Sequence, residues 1–190
     1  MQEVLKTLAS ALRAIGFHGS GQNYWKTEGD FVFVINFQGS QRGDNFYVNL
    51  GAQPVFIPAE GNADLKKLKE YECVLRRRVG SEWSWQMSDE KLASLEAEII
   101  SAQAAFFSHA QTMRASLVSD PPEVLLNKFS SGTTKARATL HLARAALALG
   151  HVEKARAFVG CGLELAGDKA TILRSELKAL LGSASREAAQ

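Results

Sequence analysis

The chain has 190 residues, a formal net charge of +2, and a composition of 46% hydrophobic and 22% charged residues. That length suits one domain or one and a half, at roughly 100–200 residues per domain, and can bury a core without disulfides or metals. The charge is too small to mark a nucleic-acid binder, and no apolar run approaches the roughly 18 residues needed to span a bilayer.

The first segment predicts a helix. Val4, Leu5, Leu8, Leu12 and Ile15 recur at helical spacing, and Gly16-Phe17 supplies a glycine stop with a hydrophobic residue to fold back on the helix. Charges at Glu3, Lys6 and Arg13 break up its apolar character, unlike the core of a signal peptide. Cys73 and Cys161 are far apart and are read as free thiols of a reducing compartment. The expectation is a soluble, cytoplasmic protein.

A β region follows. Gly19-Ser20-Gly21 reads as a flexible loop and Tyr24 to Thr27 as a short aromatic strand, closed by a Glu28-Gly29-Asp30 turn. Phe31, Phe33, Ile35 and Phe37 alternate with Val32, Val34, Asn36 and Gln38, and Phe46, Val48 and Leu50 alternate with Tyr47 and Asn49. The polar stretch from Gly39 to Asn45 joins the two, too short for a crossover, so the strands are antiparallel. Asp64 to Tyr71 predicts a helical turn or two, with Leu65 and Leu68 facing inward. Cys73 to Val79 predicts a fourth strand ended by Gly80.

From Ser88 onward the pattern is helical. Ser88 is a suitable N-cap, Asp89 and Glu90 favour the first turn, and Leu92, Leu95, Ile99, Phe106 and Phe107 form the buried stripe. Further helices are expected from Asp120-Pro121-Pro122-Glu123, over 133–149 before Gly150, over 152–166 before Gly167, and from a cap at Asp168 to about Leu181. The residues from Gly182 to Gln190 are expected to fray. The fold class is therefore α+β: an N-terminal helix and a four-stranded antiparallel sheet (residues 1–118), then a helical half (119–190) packed on the first. The stretch 136–166 loosely matches one tetratricopeptide helix pair, but one unit is no solenoid, and close-packed alanine-rich helices account for it.

Residues that carry catalysis are hard to find. His18, His109, His141 and His151 have no ligand spacing, and neither cysteine lies in a CxxC. Ser131-Gly132-Thr133-Thr134-Lys135 lacks the first glycine of a phosphate loop and reads as a helix cap. No GxSxG elbow is present. No catalytic residue, cofactor or metal is expected.

One constellation stands out. By strand parity Asn36, Gln38, Tyr47, Asn49, Arg76 and Arg78 project from one face, with Val32, Val34 and Val74 on the part that helices would cover. Arginine forks suit carboxylates and phosphates, so the exposed end is a candidate partner-binding face. The plainer reading leaves Arg76 and Arg78 solvated or paired with Glu70, Glu72 and Glu82. Trp83 and Trp85, if extended, form a same-side aromatic patch of the kind found at interface hot spots, or else cap a core. Acidic residues dilute the basic segment 66–78, so nucleic acid is not the expected partner.

The series Leu12-x-x-Ile15-Gly16-Phe17, Trp25, Val34-Ile35-Asn36-Phe37-Gln38-x-Ser40, Phe46-x-Val48-Asn49-Leu50-Gly51 and Cys73-x-Leu75-Arg76-x-Arg78-Val79-Gly80 resembles the bacterial family Domain of Unknown Function 4304, over about residues 2–115. Trp83-Ser84-Trp85 departs from it, since the family pattern has adjacent tryptophans there. The resemblance implies no established activity and no catalytic residues. With the mixed Asn/Gln/Arg/Trp face, it leads to an expectation of a non-enzymatic protein-binding protein, most concretely an immunity protein that occludes a bacterial toxin. The alternatives are an adaptor binding through its helical half and a small-molecule binder or enzyme using the sheet face.

Overall fold

The computed structural model describes the backbone of residues 2–187 and the side chains of residues 3–182. The chain divides into two compact units, Met1–Gln111 and Thr112–Gln190.

In the first unit, α1 (Gln2–Ala14) buries Val4, Leu8 and Leu12. It ends as its glycine requires. Gly16 has φ +90, its N–H donates to Arg13 O at 3.0 Å, and Phe17 N–H donates to Leu12 O at 3.0 Å. That is the paired bonding of a Schellman stop, with Phe17 and Leu12 both buried.

The sheet has five antiparallel strands in sequential order: β1 (His18–Ser20), β2 (Asn23–Glu28), β3 (Phe31–Gly39), β4 (Asn45–Pro54) and β5 (Leu75–Ser84). β1 corrects the expected loop and raises the count from four. Its glycine is what allows it. Gly19 sits at φ +141, where an added Cβ would lie 2.2 Å from Asn23 O on β2. Phe31, Phe33, Ile35 and Phe37 alternate as expected and are buried, and Phe33 stacks on Phe107 of α2 (Asp89–Gln111) at 4.1 Å. Ser88 Oγ accepts from Lys91 N–H at 3.4 Å at the start of that helix.

β5 does not stop at Gly80. The chain bulges there: β4 advances from Phe46 to Val48 while β5 covers Trp83 back to Val79, and pairing then resumes to Ser84. Gly80 takes φ +60, which a β-branched residue would resist. The helical turn or two expected over 64–71 takes the form of tight turns: Lys67 N–H closes one on Asp64 O, a 3-10 turn covers Glu70–Glu72, and a further 3-10 turn, Glu60–Asn62, precedes them.

In the second unit the first long helix has ended, and α3 (Met113–Ser119) and α4 (Pro122–Lys128) precede α5 (Lys135–Ala148), α6 (Val152–Leu165) and α7 (Thr171–Glu187). Thr134 caps α5, its Oγ1 accepting from Arg137 N–H at 3.2 Å, which accounts for the serine/threonine/glycine run before Lys135. α7 begins at Thr171 rather than after a cap at Asp168, and continues past Leu181. The part of the expected frayed tail at 188–190 lies outside the described residues. Gly162 lets α5, α6 and α7 meet: a Cβ there would fall 2.2 Å from Thr139 Oγ1 and 2.9 Å from Leu177 Cδ1. Arg137 and Arg144 of α5 both pair with Glu176 of α7, Arg144 at 3.1 Å. Lys154 Nζ caps the end of α3 by donating to Leu117 O at 2.6 Å and Asp120 O at 2.9 Å. No described helix is long and apolar enough to cross a membrane.

Candidate functional site

The two faces of the sheet have different fates. The face carrying Phe33, Ile35 and Phe37 is core. On the other face, Val32, Val34, Ala59, Leu68 and Cys73 form a buried cluster with Trp25 and Leu65 packed against it. The cover is therefore the irregular segment 55–74, where helices were expected, and Cys73 joins it in place of Val74. Cys73 approaches so closely that a Cβ at Gly51 would lie 2.6 Å from its Sγ. Burial pushes the Cys73 thiol well above its ordinary pKa.

Two side chains fasten this cover. Trp25 Nε1 donates to Leu68 O at 2.6 Å. Gln53, fully buried, donates from Nε2 to Ile57 O at 3.0 Å and accepts at Oε1 from Val74 N–H at 3.2 Å, so one amide holds both ends. These bonds satisfy backbone groups that an irregular buried segment would otherwise leave unpaired.

Beyond the cover the face is polar. Strand register places Asn23, Asn36, Asn49 and Arg78 in a single row across β2, β3, β4 and β5, with Gln38 and Tyr47 paired in the next row. The row is bonded along its length. Arg78 Nε donates to Asn49 Oδ1 at 3.0 Å, and Asn49 Nδ2 donates to Gln38 Oε1 at 3.0 Å and Asn36 Oδ1 at 3.4 Å. Asn36 Nδ2 donates to Asn23 Oδ1 at 3.0 Å and Gln22 O at 3.3 Å. Asn49 is buried, while Gln38 and Arg78 are exposed. The Arg78 guanidinium lies 4.2 Å above the Tyr47 ring, and Tyr47 OH donates to Glu82 Oε1 at 3.4 Å.

This end of the face forms one wall of a cleft of about 640 Å³. The connection between β3 and β4 supplies the rest, with Ser40, Arg42 and Asp44 on the lining. Ser40 N–H donates to Asn45 O at 2.8 Å and Gly43 N–H to Ser40 O at 3.1 Å, so the connection is a closed turn. On the other side, burial raises the Glu70 carboxyl above its ordinary pKa, and the Arg76 and Arg78 charges partly offset this. Glu82 answers to Tyr47.

Of the residues singled out in the sequence, Asn36, Gln38, Tyr47, Asn49 and Arg78 come together, and Arg76 stands one row away beside Gly51. The tryptophans do not join them. Trp83 is half-buried and pairs with Phe46 in register, and Trp85 is buried with its ring stacked on Phe46 at 4.0 Å. Because Phe46 faces the core, both lie on the opposite side of the sheet from the polar residues; Trp85 caps the core, the other reading open in the sequence, and Trp83 is half-buried beside it. Sequence reasoning missed Asn23, which the two-residue turn at Gly29-Asp30 brings opposite Asn36, and Arg42 and Asp44 on the connection. Among the described residues no three of His, Cys, Asp and Glu gather as a metal would need.

A helix, a five-stranded meander and a braced polar row on its uncovered face define a small α+β domain, followed here by a helical unit. The chain belongs to the family described as Domain of unknown function (DUF4304), whose model matches residues 8–105. No curated protein and no solved structure matches it.

Proposed function

We propose that the protein is a non-enzymatic protein-binding protein, and most concretely an immunity protein that neutralises a toxin by covering its active site. The observation that carries the reading is the Asn23–Asn36–Asn49–Arg78 row. Four polar side chains are held by one another on an open sheet face, so little side-chain entropy remains to be lost on binding. Arginine and tyrosine, stacked here as Arg78 on Tyr47, are residues that dominate interface energetics.

The test is capture by the tagged full chain from the cells that encode it, followed by co-expression with the captured protein. The reading expects a stoichiometric partner whose toxicity the wild-type chain abolishes and the Arg76→Glu/Arg78→Glu variant does not. Equal protection by the folded double variant contradicts the face assignment, and a partner with no toxicity contradicts the immunity reading. A second reading, small-molecule binding, is favoured by the cleft itself, whose 640 Å³ is within the usual range of ligand sites. A thermal shift across a metabolite panel separates the two.

A further inference from the structure

The polar row has a direction. Arg78 Nε can only donate, so the Asn49 atom 3.0 Å away is the oxygen. The Asn49 nitrogen must then donate, which fixes the oxygens of Gln38 and Asn36 as its acceptors. At the far end, the main-chain oxygen of Gln22 can only accept, and it receives Asn36 Nδ2. Obligate groups at both ends thus set every amide orientation between them. The consequence is an imbalance at the open end. The amide oxygens of Asn23, Asn36, Gln38 and Asn49 are all used internally. Gln38 Nε2 and the two terminal nitrogens of Arg78, whose guanidinium lies over the Tyr47 ring, are left as donors with no hydrogen-bond acceptor among the described residues, and both residues line the cleft.

We propose that this end of the cleft binds a carboxylate carried by a polypeptide, an aspartate or glutamate side chain of the partner. The assignment rests on the protein-binding reading and names what that face recognises. A carboxylate offers two coplanar oxygens, one for the Arg78 fork and one for the Gln38 amide. A dianionic phosphate suits the cleft less well, because Asp44 and Glu82 stand on the same lining and balance the charges of Arg42 and Arg78. Recognition is then by placed donors, and it requires one negative charge at one point. The cleft is also larger than a single carboxylate, leaving room for the residues that carry it.

The experiment uses the full chain, labelled with nitrogen-15, and follows the Gln38 side-chain amide and the Arg78 guanidinium by NMR. The probe is N-acetyl-glutamate N-methylamide, with its glutamine counterpart, acetate and inorganic phosphate as comparisons. The expected result is a saturable shift of both groups with the glutamate compound and binding weaker by roughly tenfold or more with the glutamine compound. The same loss is expected in Gln38→Glu and Arg78→Gln, two exposed positions, with a cooperative unfolding transition checked for each variant to show that it is folded. Gln38→Glu retains an oxygen to serve Asn49, replaces the outward donor by an acceptor and adds a negative charge that repels a carboxylate. No saturable shift, or an equal one with the glutamine compound, overturns the proposal. Tighter binding of phosphate overturns the carboxylate assignment, and acetate binding as tightly as the glutamate compound overturns the peptide source. A positive titration with no captured partner leaves the carboxylate site standing while the protein-binding reading fails. A captured partner with a silent titration does the reverse.

Discussion

Arg78 and Asn49 are register partners on β5 and β4, and the Nε of one donates to the Oδ1 of the other at 3.0 Å. Through that bond an exposed cation is tied to a buried amide, and the amide in turn orients Gln38 and Asn36. The shape of the candidate face therefore depends on a residue that a partner would not touch.

Replacing Asn49 by alanine leaves Arg78 Nε, Gln38 Oε1 and Asn36 Oδ1 without their partner. The expected loss is about 1–3 kcal/mol, the cost of unpaired polar groups at a partly buried site. Urea unfolding measures it, and partner affinity should fall as well, since the Arg78 guanidinium is no longer fixed.

Trp85 is a core residue in this account. Trp85→Ala removes the ring stacked on Phe46 and should cost about 3–5 kcal/mol. Trp83→Ala, at a half-buried position, should cost less. Thermal or urea unfolding of the two variants gives the order, and a Trp85→Ala protein as stable as wild type would return that residue to the surface.

Two glycines on α6 give a matched pair. At Gly160 an added Cβ meets nothing within 4 Å, so Gly160→Ala should stabilise by up to about 1 kcal/mol through helix propensity. At Gly162 the same methyl group collides with Thr139 Oγ1 and Leu177, and Gly162→Ala should destabilise by about 1–3 kcal/mol. The opposite signs, read from thermal unfolding of the full chain, test the close packing of α5, α6 and α7.

Glu70 sets a pH dependence. Burial raises its folded-state pKa above the unfolded value, against the pull of Arg76 and Arg78. The folded state then holds the proton more tightly, so the Glu70 contribution to stability is present at low pH and is lost as pH rises through the raised pKa. Glu70→Gln should flatten stability against pH above the ordinary glutamate range. Side-chain carbon-13 NMR should find the Glu70 pKa raised in wild type and higher still in Arg78→Gln.

Much of the fold is legible in the sequence. The alternation through Phe31 to Gln38 separates core face from polar face, and Gly16-Phe17 announces the helix stop, because both signals are local. β1 was hidden because His18-Gly19-Ser20 has no apolar alternation and is a strand only by pairing with β2. The bulge at Gly80 concealed the second half of β5 and with it the side on which Trp83 and Trp85 lie. The break near Thr112 has no proline or glycine to mark it. The family was legible in the strand motifs, and its model match at residues 8–105 agrees. The row from Asn23 to Arg78 needed the register of four strands, which no single segment contains.

The proposed grip on a partner by the face carrying Arg78 is tested by adjacent residues on β5. Arg77 and Arg78 are both exposed, but strand parity sends them to opposite sides of the sheet. The affinity of the captured partner should be measured by calorimetry against wild type, Arg77→Glu and Arg78→Glu. The account predicts a loss of roughly 100-fold or more for Arg78→Glu, in the range for a central charged contact, and little change for Arg77→Glu. Equal losses in both variants, or a loss confined to Arg77→Glu, would contradict it.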